Sequence, residues 1–267
     1  MTTRILLIGC GKMGGALLHG WRADPALGPF VTVEPGSGDA EFRGAADVAC
    51  VKRIEDVPAG FLPDIVVVAT KPQVMDAVLP PYRALAKNAL VLSIAAGRKL
   101  AFLESHLGEV AAIRAMPNTP AAIGRGIAVC VANARATKAQ RDLATRLMGA
   151  VGEVGWVEDE DLIDAVTAVS GSGPAYVFLL AETLAAAGVK LGLSPELAMR
   201  LARATVSGSG ELLHRSPESA EQLRKNVTSP KGTTQAALDV LMAPDGLAPL
   251  MEKAVRAARD RGRELAG

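Results

Sequence analysis

The sequence predicts an α/β protein in which an N-terminal doubly wound sheet is followed by an all-helical domain. Two observations support this prediction. Short apolar runs of strand length alternate with helical patterns as far as Trp156, and only helical patterns follow it. Such alternation is typical of a parallel sheet that carries helices on both faces. We therefore expect one domain over residues 1–157 and a second over residues 158–267.

The expected strands are short apolar runs. Asp64–Ala69 is an almost continuous apolar run and predicts a strand buried on both faces of the sheet. The other predicted strands are Ile5–Ile8, Phe30–Val33, Leu90–Ile94, Ala112–Ala115 and Ile127–Val131. Helical patterns lie between several of the strands, as in Pro72–Leu85 and Thr137–Gly149.

The second domain contains a helix that is apolar on nearly all sides. Apart from Glu182, Thr183 and Lys190, the helix Pro174–Leu191 is apolar, so that almost every side must be buried. A small helical domain has difficulty enclosing such a helix alone. A partner subunit is the favoured explanation, and a central helix in a monomeric bundle is the alternative. The other predicted helices are Leu162–Val169, Ser194–His214, Ser219–Lys225, Thr233–Met242 and Leu247–Leu265.

A glycine-rich segment between the first strand and a helical pattern predicts dinucleotide binding. Its sequence is Gly9-Cys-Gly11-Lys-Met-Gly14. In a Rossmann-like domain the first glycine makes a tight turn, and the second lets the backbone approach a pyrophosphate. The third lets the helix pack closely on the strand. We expect NADH or NADPH here, held by Gly9, Gly11, Lys12, Met13 and Gly14.

Glu34 ends the second predicted strand and favours NADH over NADPH. A carboxylate at this position accepts hydrogen bonds from the ribose hydroxyls of NAD and repels a 2′-phosphate. No lysine or arginine occurs from Glu34 through Glu41. Two alternatives remain open: a glutamate that points to solvent, or a folded loop that brings Arg43, Lys52 or Arg53 to the phosphate.

Further cofactor contacts are expected where other strands end, because ligands of open α/β sheets bind beyond the carboxyl ends of the strands. The small residues Ala95–Gly97 suit the close approach of a nicotinamide. The predicted contacts at these strand ends are Thr70, Lys71, Pro72, Ala95, Ala96, Gly97 and Asn118. A solvated lysine is the alternative for Lys71.

A turn rich in hydroxyl groups precedes the predicted helix Thr233–Met242. It contains Thr228, Ser229, Thr233 and Thr234 around a Pro-x-Gly sequence. Backbone N–H groups at a helix N-terminus converge on one point, where a small carboxylate can bind. An ordinary helix N-cap is the alternative.

Composition excludes several other classes of protein. With a net charge of +1, the protein has no strong positive electrostatic potential that would favour binding to nucleic acid or to an anionic membrane. We expect no signal peptide, because the first apolar run is too short, and no membrane-spanning segment, because that requires roughly 20 apolar residues. The three cysteines and three histidines are widely spaced, which predicts neither disulfides nor a metal site. We therefore expect a cytoplasmic protein without a structural metal.

Six segments in a fixed order make the chain similar to the pyrroline-5-carboxylate reductase family over nearly its whole length. They are Gly9–Gly14, Lys71–Gln73, Ser93–Gly97, Met116–Pro120, Ala168–Tyr176 and Val227–Leu238. The resemblance implies NAD(P)H-dependent reduction of the C=N bond of 1-pyrroline-5-carboxylate to L-proline, the last step of proline biosynthesis. It also implies a helical domain that dimerises by interlocking, and the further assembly of dimers into decamers.

The resemblance also implies which residues bind the substrate. In the family, a Ser-Pro-x-Gly-x-Thr turn holds the carboxylate and touches the ring nitrogen, at positions that are here Ser229, Pro230, Gly232, Thr233 and Thr234. We expect Thr234 to be the catalytic residue, with capping of the helix as its alternative role. The family usually has two glycines after the proline, whereas this chain has Lys231-Gly232. Lys231 adds a cation near the carboxylate, or it strains the turn if this position needs a positive φ.

Two rival functions are less consistent with the sequence. A 3-hydroxyacid dehydrogenase shares the predicted layout but typically needs a catalytic lysine on the first long helix of its second domain. Here Asp161–Leu191 contains only Lys190, at its far end. The second rival is a non-catalytic paralogue that binds a nucleotide for regulation. It is supported by Lys231, which stands where the family usually has a glycine.

Overall fold

The computed structural model describes residues 2–266, and the side chains as far as residue 264. Its strands are β1 (Thr3–Ile8), β2 (Leu27–Val33), β3 (Val48–Val51), β4 (Ile65–Val68), β5 (Leu90–Ser93), β6 (Ala111–Met116), β7 (Gly126–Ala132) and β8 (Gly152–Trp156). They form an eight-stranded sheet in the order β3-β2-β1-β4-β5-β6-β7-β8. This order and the helices on both faces confirm the predicted fold class.

The helices between the strands are α1 (Lys12–Arg22), α2 (Met75–Val78), α3 (Arg83–Ala86), α4 (Leu100–Leu107) and α5 (Lys138–Gly149). After β8 come α6 (Leu162–Val166), α7 (Gly173–Lys190), α8 (Pro195–Arg215), α9 (Ala220–Asn226), α10 (Thr233–Leu241) and α11 (Leu247–Ala266). A π-helical turn, Thr167–Gly171, joins α6 to α7.

The sheet is parallel from β3 through β6, and β7 then runs antiparallel to β6. The reason is the connection between β6 and β7. It comprises only residues 117–125, whereas a parallel pairing needs a crossover of about a dozen residues or more. The carboxyl ends of β1 to β6 consequently share one edge of the sheet.

Each face of the sheet carries its own apolar core, because successive side chains of a strand point to opposite faces. Ile5 and Leu7 of β1 belong to one core, and Leu6 and Ile8 belong to the other. The first core is covered by α1 and α5, where the fully buried Trp21 donates a hydrogen bond to the Leu147 carbonyl oxygen at 2.8 Å. The second is covered by the segments between β4 and β6.

Several elements differ from the sequence prediction. The strands β3 and β8 and the helix α4 were not predicted, and the expected helix Pro72–Leu85 is divided into short 3-10 and α-helical pieces. Pro80 and Pro81 explain the division, because proline has no N–H to donate and clashes with the preceding turn. The strand β3 carries the small residues Ala49 and Cys50, which give a weak strand pattern.

The chain divides into two compact units. One unit runs up to Gly171 and includes the end of the chain from Arg259, and the other is Ser172–Ala258. The change from strands to helices occurs after Trp156. The boundary predicted between residues 157 and 158 follows this change of secondary structure, and it stays a prediction.

The helical unit has little apolar core of its own. Its buried cluster consists of Ala185, Ala198 and Ala202, which lie on α7 and α8. In contrast, the side chains of Phe178 and Leu179 on α7 are 62% and 57% exposed. The stretch Leu162–Lys190 is also long and apolar enough to cross a membrane by length and composition, a weak criterion that a core helix of a soluble protein passes as well. The apolar surface of α7 therefore requires a cover that the single chain does not supply.

Candidate functional site

The glycine-rich segment occupies the carboxyl edge of the sheet, where β1 ends. Gly9 has φ +85, and a Cβ there would lie 2.9 Å from the Ala69 carbonyl oxygen. A Cβ on Gly14 would lie 2.7 Å from the Gly9 carbonyl oxygen, which shows how closely α1 packs on the turn. A Cβ on Gly11 would meet nothing within 4 Å. The first and third glycines are thus required by the fold, and the second leaves open space.

That open space fits a pyrophosphate. Gly11 is the N-cap of α1, and among the described residues the helix has no side-chain cap hydrogen bond. The unpaired N–H groups and the positive end of the helix dipole together favour an anion. Lys12 and Met13 form the first turn of this helix.

Glu34 faces the glycine-rich turn. Its Oε2 accepts a hydrogen bond from the Cys10 backbone N–H at 2.8 Å, and its Oε1 accepts one from the Gly36 backbone N–H at 2.7 Å. The carboxylate therefore joins the end of β2 to the turn after β1, and it does not simply point to solvent. Each carboxylate oxygen can accept a further hydrogen bond.

A cleft of about 600 Å³ lies beside these residues, between the turn after β1 and the segments that follow β3 and β4. Gly9, Gly11, Glu34, Thr70 and Lys71 line it, as the sequence predicts for a cofactor cleft. Thr70 Oγ1 is buried and has no hydrogen-bond partner among the described residues. A buried hydroxyl without a partner is destabilising.

Sequence reasoning assigned no cofactor contact to several residues that line this cleft. Lys52 and Arg53 follow β3, and Tyr82 lies on the opposite wall. Lys52 Nζ donates to the carbonyl oxygens of Pro35 and Gly36, while the Arg53 side chain is 72% exposed and lies 3.4 Å from Asp56. Lys52 and Arg53 are two of the cations that the sequence offers as alternative partners of a 2′-phosphate. Their position at the cleft follows from β3, a strand that the sequence pattern does not predict.

Burial, together with the nearby carboxylates of Asp39 and Glu34, raises the pKa of the Cys10 thiol to about 12. The thiol is consequently neutral at physiological pH. Although Cys10 lies inside the glycine-rich segment, it is no thiolate nucleophile.

The strand ends after β5 and β6 contribute different geometries. After β5, Ala95 is buried, Ala96 is exposed and Gly97 has φ +70. After β6, Asn118 Nδ2 donates to the Ser170 carbonyl oxygen at 3.2 Å, and its Oδ1 accepts from the Ile127 backbone N–H at 2.9 Å. The Asn118 amide is thus engaged in holding β7 and the π-helical turn, which leaves less of it for a cofactor. Its role as a cofactor contact stays a prediction.

In the helical unit, the hydroxyl-rich turn adopts a tight geometry. The Gly232 N–H donates to the Ser229 carbonyl oxygen at 3.0 Å, and Lys231 has φ +60. Proline followed by a residue with positive φ is the signature of a type II turn. Lys231 therefore occupies a left-handed conformation that costs a side-chain-bearing residue roughly 1–2 kcal/mol.

The turn leads into α10 without a side-chain cap. Gly232 is the N-cap of the helix, which has no side-chain cap hydrogen bond in the part of the chain that the structure describes. Thr233 is exposed and Thr234 is half-buried. Since Thr234 is the second residue of the helix and not its N-cap, the alternative role of helix capping is not realised. Among the described residues, no hydrogen bond engages the Thr233 or Thr234 hydroxyl.

Within residues 2–266, no group of three or more His, Cys, Asp and Glu side chains has a geometry that could hold a metal ion. The arrangement instead supplies an anion-binding helix N-terminus, a cleft and, in the other unit, an uncapped helix preceded by a tight turn.

Comparison with known proteins agrees with this geometry. Residues 160–265 match the family described as pyrroline-5-carboxylate reductase dimerisation, and residues 4–97 match the family described as NADP oxidoreductase, coenzyme F420-dependent. The pyrroline-5-carboxylate reductase of Pseudomonas aeruginosa is 42% identical over 99% of this chain and 97% of its own length. The corresponding protein of Synechocystis is 38% identical over 99% of both chains.

Solved structures give the same result. A pyrroline-5-carboxylate reductase from Coxiella burnetii has a TM-score of 0.90 and 36% identity, with complete coverage of both chains. A pyrroline carboxylate reductase from Plasmodium falciparum with NADP bound has a TM-score of 0.81 and 29% identity, covering 99% of this chain and 98% of that chain.

Proposed function

The chain belongs to the pyrroline-5-carboxylate reductase family, and from that premise we propose how its own residues carry out the reaction. The reaction is the NAD(P)H-dependent reduction of the C=N bond of 1-pyrroline-5-carboxylate, which gives L-proline in the last step of proline biosynthesis. The observation that supports this function most strongly is the identity of 42% over 99% of the chain with a curated reductase. The rival 3-hydroxyacid dehydrogenase has no comparable support.

We propose that the cofactor lies along the carboxyl edge of the sheet. The pyrophosphate would bind the N-terminus of α1 over Gly11, where the backbone is open. The remaining assigned contacts are Gly9, Lys12, Met13, Gly14, Glu34, Thr70, Lys71, Pro72, Ala95, Ala96, Gly97 and Asn118. When bound, the cofactor supplies the hydride, and the protein has to hold the reacting groups together and keep water out.

We propose that the turn before α10 binds the substrate. Ser229, Gly232 and Thr233 would hold the carboxylate at the uncapped N-terminus of α10. The Thr234 hydroxyl would hydrogen-bond to the ring nitrogen and stabilise the protonated imine, which accepts a hydride readily. A hydroxyl both donates and accepts, so Thr234 suits either protonation state of that nitrogen. No carboxylate or histidine pair is needed as an acid–base couple.

An oxidation assay tests the function. We expect the protein to oxidise NADH or NADPH when 1-pyrroline-5-carboxylate is added, and not with a 3-hydroxyacid. Absorbance at the reduced-nicotinamide band measures the rate. Folded protein that binds a cofactor but turns over no substrate would support the regulatory paralogue and contradict the proposal.

The proposed cofactor preference is NADH. At a separation of about 5 Å and an effective dielectric near 20, the repulsion between Glu34 and a 2′-phosphate is on the order of 3 kcal/mol. Screening at an exposed loop reduces this to about 1–2.3 kcal/mol. We expect kcat/KM to be roughly 5- to 50-fold higher for NADH, and Glu34→Ser to narrow or reverse that ratio.

A substitution at Arg53 is the counterpart of the Glu34 variant, because Arg53 lines the same cleft and carries the opposite charge. Arg53→Gln should lower kcat/KM for NADPH and leave kcat/KM for NADH within about twofold. A wild-type preference for NADPH that Glu34→Ser leaves unchanged would show that Glu34 does not face the ribose.

Self-association follows from the dimerisation family that the helical region matches. We propose that the basic assembly is a homodimer in which a second copy covers α7, that dimers assemble further into decamers, and that the enzyme is cytoplasmic with no membrane or nucleic-acid partner. The exposed apolar residues of α7 support the dimer, because a contiguous exposed apolar patch usually marks an interface.

Sedimentation measures the assembly. We expect no folded monomer of the wild type at micromolar concentration. Phe178→Asp should dissociate or unfold the dimer, because it places a charge on the surface of α7 that a partner would bury. Leu62→Asp is a matched control, since Leu62 is also 62% exposed but lies in the sheet-containing unit. A wild type that sediments as a folded monomer would refute the proposal.

A further inference from the structure

Arg98 connects two loops at the carboxyl edge of the sheet. It directly follows Gly97 in the loop after β5. Its guanidinium donates to the Pro72 carbonyl oxygen, from Nη2 at 3.0 Å and from Nε at 3.3 Å. Pro72 begins the 3-10 turn after β4. A side chain from one loop thus holds the backbone of the neighbouring loop.

Two further contacts fix the orientation of the guanidinium. Nη2 also donates to Asp76 Oδ2 at 3.0 Å, and the Arg98 Cζ lies 4.3 Å from the centroid of the Phe102 ring on α4. The Asp76 side chain is 62% exposed, so this ion pair contributes little by itself. The two hydrogen bonds to the Pro72 carbonyl oxygen and the contact with the Phe102 ring define the geometry of the guanidinium.

The Arg98 guanidinium is engaged by Pro72, Asp76 and Phe102, so we expect it to act on the cofactor through the two loops. Thr70 and Lys71 line the cleft immediately before Pro72. On the other side, Gly97 precedes Arg98 with φ +70, a flexible residue in a left-handed conformation. A loop that is ordered before binding loses less conformational entropy when the ligand binds.

We propose that Arg98 is a positioning residue that sets the spacing of the two cofactor loops, Thr70–Pro72 and Ala95–Gly97. This inference rests on the proposed assignment of both loops to NAD(P)H. Arg98 pre-orders the loops through Pro72 and so increases cofactor affinity without touching the cofactor.

Arg98→Gln tests the inference, with Arg22→Gln as its matched control. Arg22 also pairs with a carboxylate, Asp47, at 2.6 Å, and its Cζ lies 5.9 Å from the Phe42 ring centroid. However, Arg22 lies at the amino ends of the strands, away from the proposed cofactor loops, since Asp47 directly precedes the first residue of β3. Both variants therefore lose an ion pair and an aromatic contact, and only Arg98→Gln also loses the hydrogen bonds to the Pro72 carbonyl oxygen.

Two measurements on the full-length protein separate positioning from general destabilisation. Hydrogen exchange of the cofactor-free protein should show faster exchange in residues 71–79 and 95–99 for Arg98→Gln only. Fluorescence titration with NADH should show a Kd that is about 5- to 20-fold higher for Arg98→Gln and unchanged for Arg22→Gln. Arg98→Lys, which can still donate one hydrogen bond to Pro72, should be intermediate. Asp76→Asn should stay within about twofold of the wild type.

An Arg98→Gln variant whose Kd for NADH is within twofold of the wild type overturns the inference, whether or not its loops exchange faster. An equal rise in the Kd of Arg22→Gln overturns it as well. These results leave the proposed function intact as long as the wild type reduces 1-pyrroline-5-carboxylate. A wild type that binds NADH but reduces no substrate contradicts the proposed function. The inference about Arg98 is then still tested, because its readout is the Kd for NADH and not turnover.

Discussion

Thr234→Ala should lower turnover by about 10- to 1000-fold, which corresponds to roughly 1.4–4 kcal/mol of transition-state stabilisation. The hydroxyl has no hydrogen bond within the described chain and belongs to the first turn of α10, beside the tight turn at Lys231. Its removal therefore costs the fold little and removes the group that we propose as the partner of the substrate ring nitrogen. Steady-state kinetics at saturating cofactor measures kcat, and fluorescence titration measures cofactor affinity, which we expect to change by less than about twofold.

Thr183→Ala is the matched control for this substitution. The Thr183 hydroxyl already donates to the Leu179 carbonyl oxygen at 2.9 Å within α7, so it has a local role in the helix. We expect its kcat to remain near the wild-type value. If Thr234→Ala instead abolished cofactor binding, or if both variants lost turnover equally, the assignment of Thr234 to the substrate would be wrong.

Gly11→Ala should weaken cofactor binding by about 10- to 100-fold, or roughly 1.4–2.7 kcal/mol, while the fold is retained. Gly11 has φ −72, which any residue adopts, and its added Cβ would meet no atom of the protein within 4 Å. The methyl group would project into the space that we assign to the pyrophosphate. Calorimetric titration with NADH gives the Kd, and thermal unfolding gives the stability.

Gly149→Ala is a suitable control, because its Cβ would meet only Val154, at 4.0 Å. We expect it to leave both the Kd and the unfolding temperature close to the wild type. By contrast, Gly14→Ala would place a Cβ 2.7 Å from a backbone oxygen and should destabilise the fold. Unchanged NADH affinity in Gly11→Ala would contradict the proposed position of the pyrophosphate.

The periodicity of the sequence was sufficient to predict the sheet and the place of the glycine-rich segment. Buried strands such as Ile65–Val68 are apolar throughout, and glycine at Gly9 is needed because φ is +85 there. The family resemblance identified the turn before α10 as the substrate-binding segment and drew attention to Lys231. The φ of +60 at Lys231 shows that this position has a left-handed conformation.

Weak local patterns explain what was missed. The strand β3 has small side chains and is only partly buried, so its residues carry no clear strand signal. Without β3, the positions of Lys52 and Arg53 at the cleft were not predictable. Pro80 and Pro81 interrupt an otherwise helical pattern, and the segment that was predicted as one helix is therefore divided.

The fold class, the family resemblance and the residue types at the strand ends were predictable, because these depend on periodicity and on short motifs. The contacts between side chains from different strand ends became visible only in the folded chain. Glu34 accepts a hydrogen bond from the Cys10 N–H, and Arg98 donates to the Pro72 carbonyl oxygen. The physical reason is that such contacts join residues far apart in the chain, and their distances depend on strand order and packing, which no local pattern encodes.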